Sequence, residues 1–440
     1  MGNWLGAGLC ALAVLLATGT VSGLMAVIAK PADFGVDNTL TLATVIAAGA
    51  FGADLVFDTE TEGVESAFSY GMYPLTVTVI ALVIAVLVFR RVVRRYDSPY
   101  VAFGDAARSA LIFGLGLMVP TLIFRSDNDK TGRGWGRALS EDEFGAAEFS
   151  SQAAAAFFLG FLILFTVLAL VVVLRSDWRH EGFRRIQGWV VAPLYGHATT
   201  FVLLPFAGLL GFLLLGFGES SVTDNDPTGD DRQALLTLVF GLLASGGLWV
   251  MSLGAGASVG SSTEATGEAD EAEWYHLWGQ VTDDEPGLWA APVIMLVVLG
   301  ASAWVVLRKS PPGRAMWGLF AWVGSLLIFI PLLVRLSGAH FAGEVSVLGE
   351  EYELELFFGA HGVQTTFYLT GIALLVALAL AAMTGNLDLT KLRNDVGAAL
   401  RSIQASPGQT PAAGPPTPTG PPPTGPPPPY PPPGAGQSDT

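Results

Sequence analysis

The sequence predicts an all-α polytopic membrane protein. About eight transmembrane helices are expected, plus one or two re-entrant or interfacial segments, small acidic β-containing outer loops and a disordered Pro-rich C-terminal tail. Three observations predict it. Apolar runs of about 20 residues recur along the 440-residue chain, each long enough to cross a hydrocarbon core of roughly 30 Å. Apolar residues make up 51% of the chain and charged residues 14%, with a mean hydropathy of +0.52, far from a soluble globular chain. Lysines and arginines cluster after alternate runs, as cytoplasmic loops require.

Taken in order, the spans fall at about 4–29, 71–89, 105–125, 152–174, 190–217, 288–307, 315–335 and 362–383. The first follows "MGNWLGAG", which has no lysine or arginine. Its apolar run is long, so an uncleaved helix is expected rather than a signal peptide. Cys10, the only cysteine, can make no intramolecular disulfide, and "AGLC" lacks the small residue expected beside a lipidated cysteine. "RRVVRR" (90–95) closes the second span, "RSDWRHEGFRR" (175–185) the fourth, and "RKSPPGR" (308–314) joins 288–307 to 315–335. Lys391, Arg393 and Arg401 follow the last span. All four clusters belong inside, and both termini with them.

Two further segments are apolar but ambiguous: 39–57, "TLTLATVIAAGAFGADLVF", and 234–258, which contains most of "FGLLASGGLWVMSLGAGASVG" (240–260). If the second enters and returns, most of the 22 Lys and Arg lie inside; if it crosses, everything downstream changes side and the bias vanishes. A returning or interfacial segment is therefore expected. Its glycines and serines suit close packing against other helices. Any non-helical backbone at that depth must be buried in protein or line a wet cavity.

The layout of 1–185 recurs in 186–385 with the same orientation, as a parallel duplication would. "LMVPTLIFR" (117–125) matches "FIPLLVR" (329–335), and "FGAAEFSSQAAAAFF" (144–158) matches "FGAHGVQTTFY" (358–368). The outer loops "GADLVFDTETEGVESAFSYG" (52–71) and "GEVSVLGEEYELELFFG" (343–359) also look alike. In the latter, Tyr352, Leu354 and Leu356 alternate with Glu351, Glu353 and Glu355, the period of a half-buried strand. Beyond the last span, Leu389, Leu392, Val396, Leu400 and Ile403 line one face of an amphipathic helix over 386–404. Basic neighbours suit it to an anionic inner leaflet or to the bundle. Residues 405–440 are proline-rich, expected to be disordered with polyproline II character, and contain "PPPY" (427–430), a formal ligand motif for proline-binding modules.

Candidate sites are few. Asp105 and Arg108, three apart near the inner end of the third span, can pair on one helical face, as a gate or as a neutralised interfacial pair. His197, the one histidine well inside a span, can relay a proton or tie two helices. Pro120, Pro205 and Pro331 are expected to kink their helices. "DNDKTG" (127–132) and "DNDPTG" (224–229) resemble the start of a calcium loop, making Asp127, Asp129, Asp224 and Asp226 calcium candidates. Ala138 and Leu235 stand where the bidentate glutamate belongs, and such strings also make ordinary turns. His180, His276, His340 and His361 are scattered and read as solvated. No phosphate loop, metal motif, cofactor motif or nucleophile constellation is visible. The net charge of −16 argues against nucleic acid as a partner.

The segment "GAFGADLVFDTETEGVESAFSYGMYPLTVTVIALVIAVLVFRRVVRR" resembles the streptophobe family, very hydrophobic multi-pass proteins of Streptomyces and relatives. The resemblance rests on an outer strand segment and on a proline-leucine span start running from Tyr73-Pro74-Leu75 to Arg95. It implies a bacterial cytoplasmic membrane and carries over no activity and no site. The 240–260 region also resembles actinobacterial membrane proteins linked to cell division. The expected function is non-enzymatic: a scaffold or assembly partner in the cell envelope. Besides the lipid bilayer, it would meet envelope or division proteins through its tail and acidic outer loops. The alternative is a small-solute transporter or channel built from two parallel repeats.

Overall fold

The computed structural model describes residues 3–29, 38–61, 64–94, 96–124, 126–128, 147–175, 181–216, 229–265, 271–277, 289–311, 313–347 and 350–385. The expected amphipathic helix at 386–404 and the tail at 405–440 lie outside the described residues. In chain order the elements are α1 (Trp4–Ala29), α2 (Thr39–Gly49), β1 (Leu55–Thr61), β2 (Val64–Met72), α3 (Leu75–Val93), α4 (Pro99–Ile123), β3 (Ser126–Asn128), β4 (Ala147–Ser151) and α5 (Ala153–Leu174). The second half brings α6 (Glu181–Gly216), α7 (Gly229–Gly254), β5 (Val259–Ala265), β6 (Glu271–Tyr275), α8 (Ala291–Lys309), α9 (Ala315–Ser337), β7 (Ala339–Val347), β8 (Glu350–Ala360) and α10 (Gly362–Met383).

Eight of these helices are long and apolar enough to cross a membrane: α1, α3, α4, α5, Trp189–Leu214 within α6, α8, α9 and α10. The chain is a multi-pass integral membrane protein, and its outward-facing apolar side chains meet lipid. The expected spans agree closely for α1, α5 and α10. Two helices begin earlier than expected. α4 starts at Pro99, where proline's fixed φ suits a first turn. α6 starts at Glu181, because a helix needs no apolar sequence once it leaves the bilayer. α4, α6 and α9 run on through Pro120, Pro193, Pro205 and Pro331 as single helices.

The two ambiguous segments are helical over 39–49 and 234–254. α2 has 11 residues, about 17 Å at 1.5 Å per residue, too short to cross roughly 30 Å. Asn38 caps it, its side chain accepting from the Thr41 N–H at 2.9 Å. α7 is one unbroken helix of 26 residues. Its small residues have a packing reason: a Cβ on Gly247 would overlap the Leu204 carbonyl, and one on Gly208 the Leu243 carbonyl. α6 and α7 therefore meet backbone against backbone.

The outer connections were expected to hold small acidic β structure. The eight strands among the described residues form one antiparallel sheet, in the order β3-β4-β1-β2-β7-β8-β5-β6. The sequence period marks a strand but not its neighbour, so the joining of four loops into one sheet had no local signal. The sheet order reads as one four-strand pattern used twice. β3-β4-β1-β2 is followed by β7-β8-β5-β6, with β2 against β7 at the seam. The register repeats too. Leu55 faces Tyr70 and Ser151, while Val259 faces Tyr275 and Ala360. Single hydrogen bonds also repeat. Gly52 (φ 89°) and Gly256 (φ 84°) turn the chain after α2 and α7 in the left-handed region. Ala53 N–H donates to Ala48 O at 3.2 Å and Ala257 N–H to Ser252 O at 2.9 Å. Gln152 N–H donates to Asp54 O at 3.2 Å, and His361 N–H to Ser258 O at 2.9 Å.

Two large apolar cores form, one mainly from each half, with Leu75 and Val79 of α3 reaching into the second. Phe51, Phe89, Phe113, Leu164 and Leu168 centre the first, with Phe51 edge-on to Phe113 at 4.8 Å. Leu204, Leu248, Met251, Leu299 and Trp322 centre the second. Gly196 makes room there, since a Cβ would press on the Trp322 indole at 2.7 Å.

Candidate functional site

A polar cluster sits where the sheet meets the helices, on the seam between the halves. The turn through Gly52 delivers Asp54 to the head of β1. Tyr73 opens the β2–α3 link, and His340 lies in β7 directly opposite Gly71 of β2. The Tyr73 hydroxyl donates to Asp54 Oδ1 at 2.9 Å, and His340 Nε2 lies 3.4 Å from the same oxygen. The Tyr73 and His340 rings stand 5.7 Å apart. Gly71 is required: a Cβ there would run into the His340 ring, and would come 2.7 Å from Asp54 Oδ1. The His340 hydrogen bond holds the Asp54 carboxyl below its usual range. Burial opposes this, while Tyr73 and the nearby Arg335 charge assist. Burial, then the Asp54 carboxylate, pushes the Tyr73 phenol up. The cluster therefore stores a carboxylate between a phenol and an imidazole. Its position in the second half is taken by Ser258, whose Oγ donates to Gln364 Oε1 at 2.8 Å.

At the opposite ends of the helices, Asp105 is fully buried. It pairs with Arg108, as the sequence spacing suggested, but also accepts from the Tyr96 hydroxyl and from the Asn3 N–H at 2.7 Å. Arg108 lies over the Trp4 ring at 4.6 Å. Ser109 Oγ reaches Ala7 O at 3.1 Å, and Arg175 donates to Tyr96 O at 2.7 Å and to Val93 O. Burial, then Asp105, pushes the Tyr96 phenol up. One carboxylate thus ties the start of α1 to α4 and to the α3–α4 turn, while Arg175 clamps that turn to the end of α5.

His197 faces α9. Its Nε2 meets Ser325 Oγ at 2.6 Å and its ring lies 4.4 Å from that of Phe329. Ser325 Oγ donates to Trp322 O at 2.8 Å, so it accepts from His197, which assigns the proton to Nε2. Nδ1 has no hydrogen-bond partner among the described residues. One turn on, Thr200 and Ser302 Oγ are 2.8 Å apart, tying α6 to α8.

Of the calcium candidates, Asp127 stands in β3, in register with Glu148 of β4, while Asp129, Asp224 and Asp226 lie outside the described residues. Among the described residues, no three His, Cys, Asp or Glu side chains gather as a metal ion would need. Sequence reading missed the junction cluster. Asp54, Tyr73 and His340 are joined by tertiary structure and share no motif. His340, expected to be solvated, is the partner of Asp54. His361 caps α10, its ring nitrogen accepting from the Gln364 N–H at 3.4 Å, and packs on Trp274 at 5.0 Å. His276 is exposed and His180 lies outside the described residues. The signal that could have found Asp54 is the internal alignment of "FGAD" (51–54) with "AGAS" (255–258), which marks both turns. No family model matches this chain, and no curated protein or solved structure is similar to it.

Proposed function

We propose that this chain is a non-enzymatic scaffold of the bacterial cytoplasmic membrane, built from two parallel repeats, 1–185 and 186–385. It would hold a continuous sheet on the outer face for envelope or division proteins to assemble against. The observation that carries the reading is the sheet itself. All four strand-bearing connections between helices enter it, which suits a docking platform better than a solute path.

Connectivity supports the sidedness. A single sheet lies on one side of the bilayer. Asn3, at the start of α1, touches Asp105 near the start of α4, the end of that helix opposite β3. α1 therefore runs toward the sheet, and α2, lying between α1 and β1, begins and ends on the sheet side. Gln187 of α6 donates to Val173 O of α5 at 2.7 Å, so α6 also starts away from the sheet. α7 then returns to the side it left. On this reading both termini would face the cytoplasm, as the arginine clusters of the sequence require. An impermeant maleimide on a Thr263→Cys variant in a Cys10→Ser background tests this: labelling of intact cells is expected, and labelling only after lysis sinks it. The scaffold reading itself is tested by co-purification. Envelope or division proteins should be retained by the intact chain and lost when residues 405–440 or the acidic outer loops are altered. The streptophobe resemblance is compatible with this reading and adds no activity to it.

One observation favours a transporter or channel instead. α2 and α7 are matched helices that end on matched left-handed glycines, and paired interrupted segments mark binding sites in repeat-built transporters. Saturable solute flux in proteoliposomes would establish that alternative and displace the scaffold.

A further inference from the structure

We propose that copies of this chain associate edge to edge within the membrane, β6 of one copy pairing with β3 of the next, so that the sheet continues from copy to copy. The inference rests on the two-repeat reading above and extends it. In the repeated pattern β2 corresponds to β6 and β7 to β3. β2 and β7 pair at the seam inside the chain, and β6 and β3 are the two ends of the sheet among the described residues. Among the described residues the chain therefore carries one example of the contact and one unpaired half of it at each edge.

The helices point the same way. Between the halves, α1 and α3 pack on α7. The reciprocal packing, α6 and α8 on α2, has no comparable counterpart among the described residues. The internal interface is thus heterologous: one face of the first half meets a different face of the second, and among the described residues each face has one counterpart left unpacked. Heterologous contacts propagate into rings or filaments. Because the halves share one orientation, the same operation keeps each added copy upright in the same bilayer.

The seam also predicts a register. Tyr70, Gly71 and Met72 face Phe341, His340 and Ala339. Carried over through Tyr70 to Tyr275 and Ala339 to Ser126, this sets Tyr275, His276 and Leu277 of one copy against Asn128, Asp127 and Ser126 of the next. His276 of one copy then faces Asp127 of the next, a pair able to hydrogen-bond across the strands. Strand length agrees. β2 runs two residues past Tyr70, where β7 is the only partner among the described residues, whereas β6 stops at Tyr275. Tyr275 is 48% exposed at that edge.

Directly opposed antiparallel residues lie about 4.5–5.5 Å apart, within disulfide reach. The test uses the full chain with Cys10→Ala in native membranes, carrying either His276→Cys or Asp127→Cys on differently tagged copies, under mild oxidation. A covalent dimer bearing both tags is expected only when both variants are co-expressed. His276→Cys dimerising equally well alone would show two-fold edge pairing and overturn the proposal. A Ser69→Cys/Ala342→Cys pair within one chain serves as the seam control. If the seam closes and no mixed dimer forms, edge association is refuted. If the seam itself fails to close, the repeat reading falls and this inference falls with it.

Discussion

Replacing Asp105 with alanine removes the acceptor shared by three donors: the Arg108 guanidinium, the Tyr96 hydroxyl and the Asn3 N–H. The three losses differ. Arg108 keeps 30% of its side chain exposed and stays over Trp4, so it can turn to water at small cost. Tyr96 is buried, and its orphaned hydroxyl costs about 1–3 kcal/mol. The half-buried Asn3 N–H adds about 1 kcal/mol. The total, about 2–4 kcal/mol, is a large part of a typical domain's stability. Thermal unfolding in detergent, followed by tryptophan fluorescence, reads it, since Trp4 lies against Arg108. Asp105→Asn should fall between, because one amide oxygen can serve only some of the donors. A cycle of Asp105→Asn with Tyr96→Phe should show coupling of about 0.5–3 kcal/mol. If Asp105→Ala unfolds within about 0.5 kcal/mol of the parent, the carboxylate is no tie between α1 and α4, and an ion-gating role regains its place.

Gly247→Val should force α6 and α7 apart and cost at least about 1–3 kcal/mol in the same melt, while Gly246→Ala, with nothing within 4 Å of its Cβ, should leave it unchanged. Gly71→Ala should destabilise by about 1–3 kcal/mol, and His340→Ala should restore most of that by vacating the space the new methyl needs; absence of rescue would remove Gly71's stated role. The junction also carries a pH signature. Asp54 is held below its ordinary value when folded, so its contribution is complete above about pH 4 and is lost as pH falls through the lowered folded value. An Asp54→Asn variant should lose that acid-side drop in melting temperature, and an unchanged acid limb would show that other carboxylates set it.

Helix positions were legible because hydrophobicity over 20 residues is a local property; α1, α5 and α10 needed nothing else. Their ends were less so, as α6 shows, where "EGFRRIQG" is helical but outside the apolar run. β8 was visible through the alternation of Leu354 and Leu356 with glutamates. Its pairing with β5 was not, because β5 lies far away in sequence and strand choice is settled by tertiary contact. The polar sites divide in the same way. Asp105 and Arg108 are one helical turn apart and could be paired on paper. Asp54 and His340 come from opposite halves, and only the seam brings them together.

The seam also has a mechanical consequence. The links from strand to helix are almost without slack: Tyr73 and Pro74 join β2 to α3, Gln152 joins β4 to α5, Gly338 joins α9 to β7 and His361 joins β8 to α10. Nine backbone pairs, Val64–Val347 through Met72–Ala339, lace the halves together above these stiff joints. A hinge at the inner connection could not rock one half against the other without shearing that lacing. The protein should therefore behave as a braced frame: load applied along one strand passes straight to helix ends in both halves, and the bilayer feels the whole bundle tilt as a unit.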